Sequence, residues 1–594
     1  MFNISAIIRK KKNFNEGEIP MNDIKALYAL WKDKAVLDSD LQDELNSIKG
    51  NDEEISDRFY RSLEFGTGGL RGVIGAGTNR MNVYTVAQAT QGLANYLNEA
   101  FDEPTVAVAY DSRIKSDLFA KTAAGVLAAN GIKVYIYEEL MPTPMLSYAV
   151  RRLHCCSGIV ITASHNPSKY NGYKCYDSMG YQMTDEAAKR TYEYICNVDI
   201  FNDVKMMDFD DALAEDMIDF IEDWLIDDFY NDVLSRQIEK GICKKADLKV
   251  IYSPLNGTGN KPVKTILKKI GVKDLKIVLT QEKPDGNFPT CPFPNPEIKQ
   301  VFEEGMKLTD DFKADIMLAT DPDCDRVGIA VLHNGEYQLM SGNEVGCMLT
   351  EYILSRKQAK GELCENPVIV KTIVTSELIR AIAKDYNAEM YDLLTGFKYI
   401  GELIEQLKDK GEENRYEIGM EESYGYLTGT HVREKDAVNA SMIIIEMAAY
   451  YKTQGKTLVD VMNSLYEKYG MYLNTLLNFG FEGADGMKKM SNMMESMRSN
   501  PPKEIGGLQV INIADYLESV SVDTITGEKA EITLPKSNVL SYSLPDDNKV
   551  IIRPSGTEPK IKIYITSHAD SRDAAEKQTD VFAASIKSIM GIED

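Results

Sequence analysis

One pattern returns three times along this chain: an apolar strand, a helix with one apolar face, and a second strand. It appears first as TVAVAY (105–110), DLFAKTAAGVLAANG (117–131) and KVYIYEE (133–139). It returns as LKVIYS (248–253), NKPVKTILKKIG (260–271) and LKIVLT (275–280), and again as PVIVKTI (367–373), SELIRAIAKDYN (376–387) and AEMYDLL (388–394). Alternating or continuous apolar runs mark the strands, and apolar residues at helical spacing mark the segments between them. Three such blocks at wide spacing predict an α/β chain of three related domains with mixed or parallel sheets. The tail departs from the pattern. NKVIIRP (548–554), a Gly-containing turn, KIKIYITS (560–567) and a helix reaching about residue 590 predict a smaller C-terminal α+β domain. The expected domains are 1–225, 226–345, 346–490 and 491–594, with the acidic stretch 202–230 and the Met/Ser/Asn/Pro-rich stretch 486–503 as linkers.

Length agrees with several cores, since 594 residues exceed what one core supports. The formal net charge of −24 argues against nucleic acid and against anionic membrane as partners, because both need a basic face. A phosphate-bearing substrate would need local Arg, Lys and Gly clusters to overcome that field. Nine scattered cysteines, with no CxxC pair and no zinc spacing, predict reduced thiols and a cytoplasmic location. No apolar run reaches membrane-spanning length. The basic segment MFNISAIIRKKKNFNEGEIP (1–20) is expected to be a poorly ordered extension or a start-site artefact.

Five segments carry candidate chemistry. In CSGIVITASHNPSKYNGYKCY (156–176) a strand runs into Ala-Ser-His-Asn-Pro, which puts Ser164 and His165 on an exposed loop at a strand end, where α/β folds bind ligands. Ser164 there suits a nucleophile or phosphate carrier, with His165 and Lys174 near it; a capping Ser beside a structural His is the other reading. In LATDPDCDRVGIAV (318–331), Asp321, Asp323 and Asp325 alternate between two apolar strands. Converging hard oxygens suit Mg²⁺ or Ca²⁺, and an acidic surface turn is the alternative. An EF-hand is excluded, because the loop has no Gly at its sixth position, no Glu at its twelfth, and a strand after it. Arg326 beside these carboxylates could neutralise a phosphate.

VIIRPSGTEPKIKIY (550–564) delivers Arg553, Ser555, Gly556 and Thr557 between two strands, either as a phosphate cradle or as a plain hairpin turn. In YEIGMEESYGYLTGTHVREKDA (416–437), Glu421 and Ser423 point the same way if the loop is extended, which suits vicinal sugar hydroxyls, and His431, Arg433 and Lys435 follow as a basic cluster. A polar loop with ion pairs, Glu422 to Arg433 among them, would explain it too. Gly396 and Lys398 in TGFKYIG (395–401) stand where a strand becomes a helix, so backbone N–H groups could meet an anion, or merely cap the helix. FGTGGLRGVIG (65–75) lacks the spacing of a dinucleotide fingerprint, but Arg71 in its Gly-rich loop could meet phosphate.

Together these motifs resemble the α-D-phosphohexomutase superfamily, most closely its phosphoglucomutase/phosphomannomutase branch. TASHNP is similar to that family's phosphoserine loop, DPDCDR to its metal loop, EESYG to its sugar loop and RPSGTEPK to its phosphate loop, in family order. The resemblance covers the chain from about residue 40 to the end. It implies a central cleft, Mg²⁺ held by Asp321, Asp323, Asp325 and the phosphate of Ser164, and a small-molecule sugar phosphate as substrate. It implies that Lys174 and Lys435 serve in acid/base chemistry and that Arg71 and His165 position the phosphoryl group. Arg326, Gly396, Lys398, Glu421, Ser423, His431 and Arg433 would meet the substrate, and Arg553, Ser555, Gly556 and Thr557 its unreacting phosphate. Glucose 1,6-bisphosphate would be activator and intermediate, turning round within the site while the last domain moves on a hinge near residue 490. The His that follows the loop Gly in many mannose-type mutases is absent here, where Tyr424 and Tyr426 flank Gly425. Glucose phosphate is therefore the expected substrate, with mannose or pentose phosphate, or a glucose-1,6-bisphosphate synthase, as alternatives. An aspartyl-phosphate phosphotransferase and a non-catalytic sugar-phosphate-binding protein account for fewer of the motifs.

Overall fold

The computed structural model describes residues 21–66, 68–481, 485–555 and 560–592. The expected N-terminal extension, residues 1–20, lies outside them. The chain forms two compact units. The first runs to Leu339 and takes in Ile400–Glu413 and Gly425–Tyr450; the second comprises Met340–Tyr399, Asn414–Tyr424 and the chain from Tyr451 onward.

The first unit begins with helices Met21–Lys34, Ser39–Ser47 and Asp52–Phe59. They set the buried Trp31 edge-on to Phe59, Tyr84 and Phe201, within the core that includes the first sheet. That sheet holds β1 (Gly69–Val73), β2 (Thr105–Tyr110), β3 (Lys133–Ile136), β4 (Ser157–Ile161), β5 (Tyr170–Asp177) and β6 (Ile218–Phe220) in the order β1-β5-β4-β2-β3-β6. β2, β3, β4 and β6 run parallel, while β5 is antiparallel to both β4 and β1. Helices cover the parallel part, so every residue of β4 is buried, as a two-sided sheet requires. A second sheet joins β7 (Lys249–Ser253), β8 (Asp274–Ile277), β9 (Ile316–Thr320), β10 (Val327–His333) and β11 (Glu336–Met340) in the order β11-β10-β9-β7-β8. It is also mixed, with β7 parallel to β8 and β9, and β9 antiparallel to β10.

In the second unit β12 (Val368–Thr372) lies parallel to β13 (Glu389–Leu393) and β14 (Tyr416–Glu421). β15 (Gly425–Thr428) returns the chain to the first unit. The C-terminal part is antiparallel: β16 (Met471–Gly480), a two-residue ribbon of β17 (Glu504–Ile505) and β18 (Leu508–Gln509), then β19 (Asn512–Asp515), β20 (Val520–Asp523), β21 (Lys529–Glu531), β22 (Leu540–Ser543), β23 (Lys549–Pro554) and β24 (Lys560–Ala569). Its seven-stranded sheet has the order β16-β24-β23-β22-β19-β20-β21 and is backed by the helix Arg572–Met590. Three α/β regions and a smaller α+β end therefore stand as expected from the sequence.

Both expected linkers are regular structure instead. Residues 202–230 contain the helix Phe209–Ala214, β6, and the start of the helix Asp223–Ser235. Buried Ala212, Ile218, Leu225 and Phe229 pack inward while the acidic residues stay outside. The stretch 486–503 is largely the helix Asp485–Ser499. Met490, Met493, Met494 and Met497 repeat at helical spacing and bury against Ile552, Ile563 and Phe582.

Candidate active site

β4 delivers Ser164 and β5 carries the chain away, so the loop between them projects from the carboxyl end of the sheet. Ser164 adopts φ 51°, a left-handed conformation that a non-Gly residue holds only when its surroundings over-determine it. Arg113 supplies that constraint. Its guanidinium donates to the carbonyl oxygens of Ser164 (2.5 Å), Pro167 (3.0 Å), Tyr170 (3.0 Å) and Asn166. Asp111, buried, lies 3.3 Å from Arg113 Nε and accepts from Thr162 Oγ1 at 2.7 Å; Thr162 Oγ1 in turn accepts from the Ser164 N–H at 2.8 Å. Ser164 Oγ donates to Asp321 Oδ2 at 2.8 Å and lies 3.2 Å from His165 Nδ1. Burial, with the positive charges of Arg326 and Arg71 next to it, holds His165 well below its usual pKa, so its ring is neutral.

The three aspartates hang on a tight turn between β9 and β10, whose register pairs Thr320 with Val327. Cys324 at φ 53° makes the turn, and Asp321 Oδ1 accepts from the N–H groups of Asp325 (3.1 Å) and Arg326 (3.0 Å). Asp321, Asp323 and Asp325 are buried, and each offers one carboxylate oxygen within 4.8 Å of the others. Asp323 Oδ1 and Asp325 Oδ1 are buried with no hydrogen-bond partner. Burial and the neighbouring carboxylates of Asp323 and Asp325 push Asp321 well above the carboxylate range. Burial also acts against the charge on Asp323, but the Lys174 ammonium 3.0 Å away outweighs it and holds that carboxyl low. Crowded, buried carboxylates, two of them with an oxygen that no hydrogen bond satisfies, fit a hard divalent cation.

Cations ring the turn. Lys174, on β5, also lies 3.8 Å from Asp325 Oδ2; Lys435 lies 3.2 Å from the same atom and 2.7 Å from Glu434 Oε1; Arg326 Nε lies 3.6 Å from Asp325 Oδ1. Arg71 is exposed on β1, and the nearby charges acting on it are Arg326, Asp323, Arg113 and Asp325. Positive groups around a cluster of carboxylates, next to a constrained hydroxyl, are the equipment of phosphoryl transfer.

Four family models match the chain. Three describe phosphoglucomutase/phosphomannomutase alpha/beta/alpha domains I, II and III, over residues 62–199, 227–335 and 341–469, and the fourth the C-terminal domain, over 538–584. The chain belongs to the phosphoglucomutase/phosphomannomutase family. A phosphoglucomutase of Staphylococcus aureus strain MRSA252 is 38% identical over 532 residues, 89% of this chain and 94% of that one. That of strain USA300 is 38% identical over 520 residues, 87% and 91% of the two chains. Among solved structures, a putative phosphomannomutase from Thermus thermophilus superposes with a TM-score of 0.66 at 22% identity, covering 89% of this chain and 99% of that one. Parafusin, a phosphoglucomutase of Paramecium seen in an open form, gives 0.65 at 17% identity, covering 90% and 96%. These two share the fold. Membership makes the chain a mutase, an isomerase in reaction class.

The family's remaining motif residues lie partly in the second unit. Glu421 ends β14 and accepts the Gly396 N–H at 2.8 Å, so the anion met by that N–H is a carboxylate of the protein's own. Glu421 precedes, and Ser423 lies within, a turn whose last residue, Tyr424, has φ 66°, in place of the expected extended loop. Lys398 is buried, with Nζ 5.0 Å from the Tyr399 ring. Arg553 lies on β23, and the phenol of Tyr564 feels the Glu422 and Glu421 carboxylates as well as the Arg553 guanidinium. Residues of the two segments expected to meet sugar and phosphate thus act on one tyrosine of the same unit. Ser555 follows β23, while Gly556 and Thr557 lie outside the described residues.

The basic cluster His431, Arg433 and Lys435 comes apart, because each cation has its own carboxylates. His431 Nε2 lies 2.9 Å from Asp436 Oδ2, and both side chains are fully buried. Arg433 is buried between Glu405 (2.7 Å) and Glu413 (2.8 Å), and the suggested partner Glu422 instead accepts from Thr372 Oγ1 at 3.2 Å. His431 and Arg433, expected to face the substrate, are thus held in ion pairs with the protein's own carboxylates, and of the three only Lys435 reaches the aspartate turn. Asp111, Arg113 and Thr143 escape that reading altogether. Thr143 donates its N–H to the Asp323 carbonyl at 2.9 Å and its hydroxyl to Asp323 Oδ2 at 3.0 Å. The signal available for Arg113 was a charged Asp-Ser-Arg run directly after β2.

Proposed function

We propose that this mutase interconverts glucose 1-phosphate and glucose 6-phosphate through a phosphorylated Ser164 and a glucose 1,6-bisphosphate intermediate. The observation that carries the reading is Ser164: a strained, tightly held serine whose Oγ lies 2.8 Å from one of three converging carboxylates. The S. aureus relatives named phosphoglucomutase support glucose as the sugar. Asp321, Asp323 and Asp325 would hold Mg²⁺ together with an oxygen of the Ser164 phosphate, and the bound ion would offset the charge of the phosphoryl oxygens.

In the first half-reaction the bond between phosphorus and Ser164 Oγ breaks as a bond from phosphorus to the sugar's free hydroxyl oxygen forms, giving the bisphosphate; in the second the bond from phosphorus to the other sugar oxygen breaks as the bond to Ser164 Oγ re-forms. In the first the sugar hydroxyl gives up one proton and Ser164 Oγ takes one, and in the second that exchange reverses. Lys174 and Lys435, both held against the aspartate turn, are the groups assigned to carry those protons. His165, neutral, sets the direction of the serine hydroxyl, and Arg71 and Arg326 bind the travelling phosphoryl oxygens. Glu421 and Ser423 hold sugar hydroxyls, and Arg553, Ser555, Gly556 and Thr557 hold the phosphate that does not react. Such chemistry asks for placement and charge neutralisation more than for covalent work. Among the described residues, no helix is long and apolar enough to cross a membrane. The nine free cysteines support a cytoplasmic setting.

The test is conversion of glucose 1-phosphate to glucose 6-phosphate with Mg²⁺ and a trace of glucose 1,6-bisphosphate, beside mannose 1-phosphate and ribose 1-phosphate. The highest kcat/KM is expected for glucose 1-phosphate. A higher value for either other sugar would overturn the glucose assignment, and no turnover on any of them would overturn the mutase assignment.

A further inference from the structure

Gly425 closes the Glu-Glu-Ser-Tyr-Gly segment and opens β15, and its value lies in what passes over it. A Cβ at this position would fall 2.2 Å from Lys435 Cδ, 2.9 Å from Cγ and 3.4 Å from Cε. Atoms in the middle of a side chain can step aside only if its end is free, and this end is pinned. Lys435 Nζ lies 3.2 Å from Asp325 Oδ2 and 2.7 Å from Glu434 Oε1, and Glu434 is held in turn by the Tyr176 hydroxyl at 3.0 Å. The glycine backbone has no room to retreat either. The Asp436 N–H donates to the Tyr426 carbonyl at 3.0 Å, and Thr428 donates its N–H (3.0 Å) and hydroxyl (2.8 Å) to Asn439 Oδ1. On the far side the Ala437 N–H bonds the Cys324 carbonyl at 3.2 Å, which ties the lysine segment to the aspartate turn. Lys435 therefore runs through a slot with fixed walls, one wall being the bare Cα of residue 425.

We infer that Gly425 is a positioning residue for the mutase reaction: it clears the track along which Lys435 reaches Asp325, and any side chain there displaces the lysine. The inference rests on the reading that Lys435 serves phosphoryl transfer. It assigns this loop glycine to the proton-carrying lysine and not to the sugar.

The test compares the full-length wild type with Gly425→Ala, Lys435→Ala and the double variant, reading Tm by thermal denaturation and kcat and KM for glucose 1-phosphate. Lys435→Ala removes the overlapping Cγ and Cδ atoms, so it makes room for the new methyl. Gly425→Ala alone is expected to lower Tm and to cut kcat by about 100-fold, the usual cost of a misplaced reacting group, with KM changed less than about twofold. In the Lys435→Ala background the same substitution should leave Tm unchanged. A Gly425→Ala enzyme with wild-type kcat overturns the inference, as does an equal Tm loss in both backgrounds. Failure of the mutase reading would show separately, as no turnover by the wild-type chain, while the Tm comparison would still report on the slot.

Discussion

Arg113→Lys keeps the charge beside the Ser164 loop and changes only its shape. The guanidinium reaches the carbonyls of Ser164, Asn166, Pro167 and Tyr170 and keeps Nε 3.3 Å from Asp111 Oδ2, with both side chains fully buried. A lysine ammonium has three donors radiating from one atom and cannot span a fork of that width. At least two carbonyls are left unpaired. At about 1.5–3 kcal/mol for each hydrogen bond to a charged group, the loop loses roughly 3–6 kcal/mol of restraint. Holding a non-Gly residue in a sparsely populated backbone region costs about 1–3 kcal/mol, so the loss exceeds what keeps Ser164 at φ 51°. The serine should relax, and a shift of about 1 Å at the reacting atom costs about 100-fold in kcat. Steady-state kinetics with glucose 1-phosphate, beside the Tm of both proteins, read the effect. A lysine variant with wild-type kcat and Tm would refute the claim that one guanidinium sets the serine's conformation.

Other perturbations have equally definite outcomes. Chelation with EDTA should abolish turnover and added Mg²⁺ restore it, whereas Asp323→Asn should stay inactive at any Mg²⁺ concentration because it removes one carboxylate charge from the turn and from beside Lys174. Glu377 is buried, but Lys371 and Lys549 outweigh that burial and hold its carboxyl below the usual glutamate range. Its contribution to stability is thus fully present above the unfolded value, about pH 4.3, and is lost as the pH falls through the lower folded value. Thermal denaturation of Glu377→Gln between about pH 3 and 7 should show a smaller acid-dependent fall in Tm than wild type; an identical fall would rule out this pair network as a source of acid sensitivity. Met494→Ala empties a fully packed position in the C-terminal core and should cost about 2–5 kcal/mol in urea denaturation.

How much of this was legible depended on whether the chemistry was local in the chain. Asp321, Asp323 and Asp325 were legible because three alternating carboxylates confined between two apolar strands favour a buried tight turn with converging oxygens over an acidic surface turn. Ser164 was legible because an apolar strand runs straight into Ala-Ser-His-Asn-Pro, where Pro167 stops a regular continuation. Arg113 was not, since it acts on a carbonyl 51 residues away and sits in a run with no spacing signature. The basic residues after β15 look like one cluster in sequence, but their partners come from elsewhere: Glu405 and Glu413 for Arg433, Asp325 for Lys435. In residues 486–503, composition suggested a linker while the spacing of four methionines held the truth, a helix with one buried face. The same error made an acidic linker of residues that form β6 and its flanking helices, where sparse apolar positions decided the fold.

The central claim is that Ser164 carries the phosphoryl group. Incubation of the full-length enzyme with glucose 1,6-bisphosphate labelled with ³²P, followed by peptide mapping, tests it most directly. The account predicts an acid-stable phosphoserine on the peptide containing Ser164, absent from Ser164→Ala and chased off by unlabelled glucose 6-phosphate. A hydroxylamine-sensitive label on Asp321, Asp323 or Asp325, or turnover with Ser164 unlabelled, would contradict it.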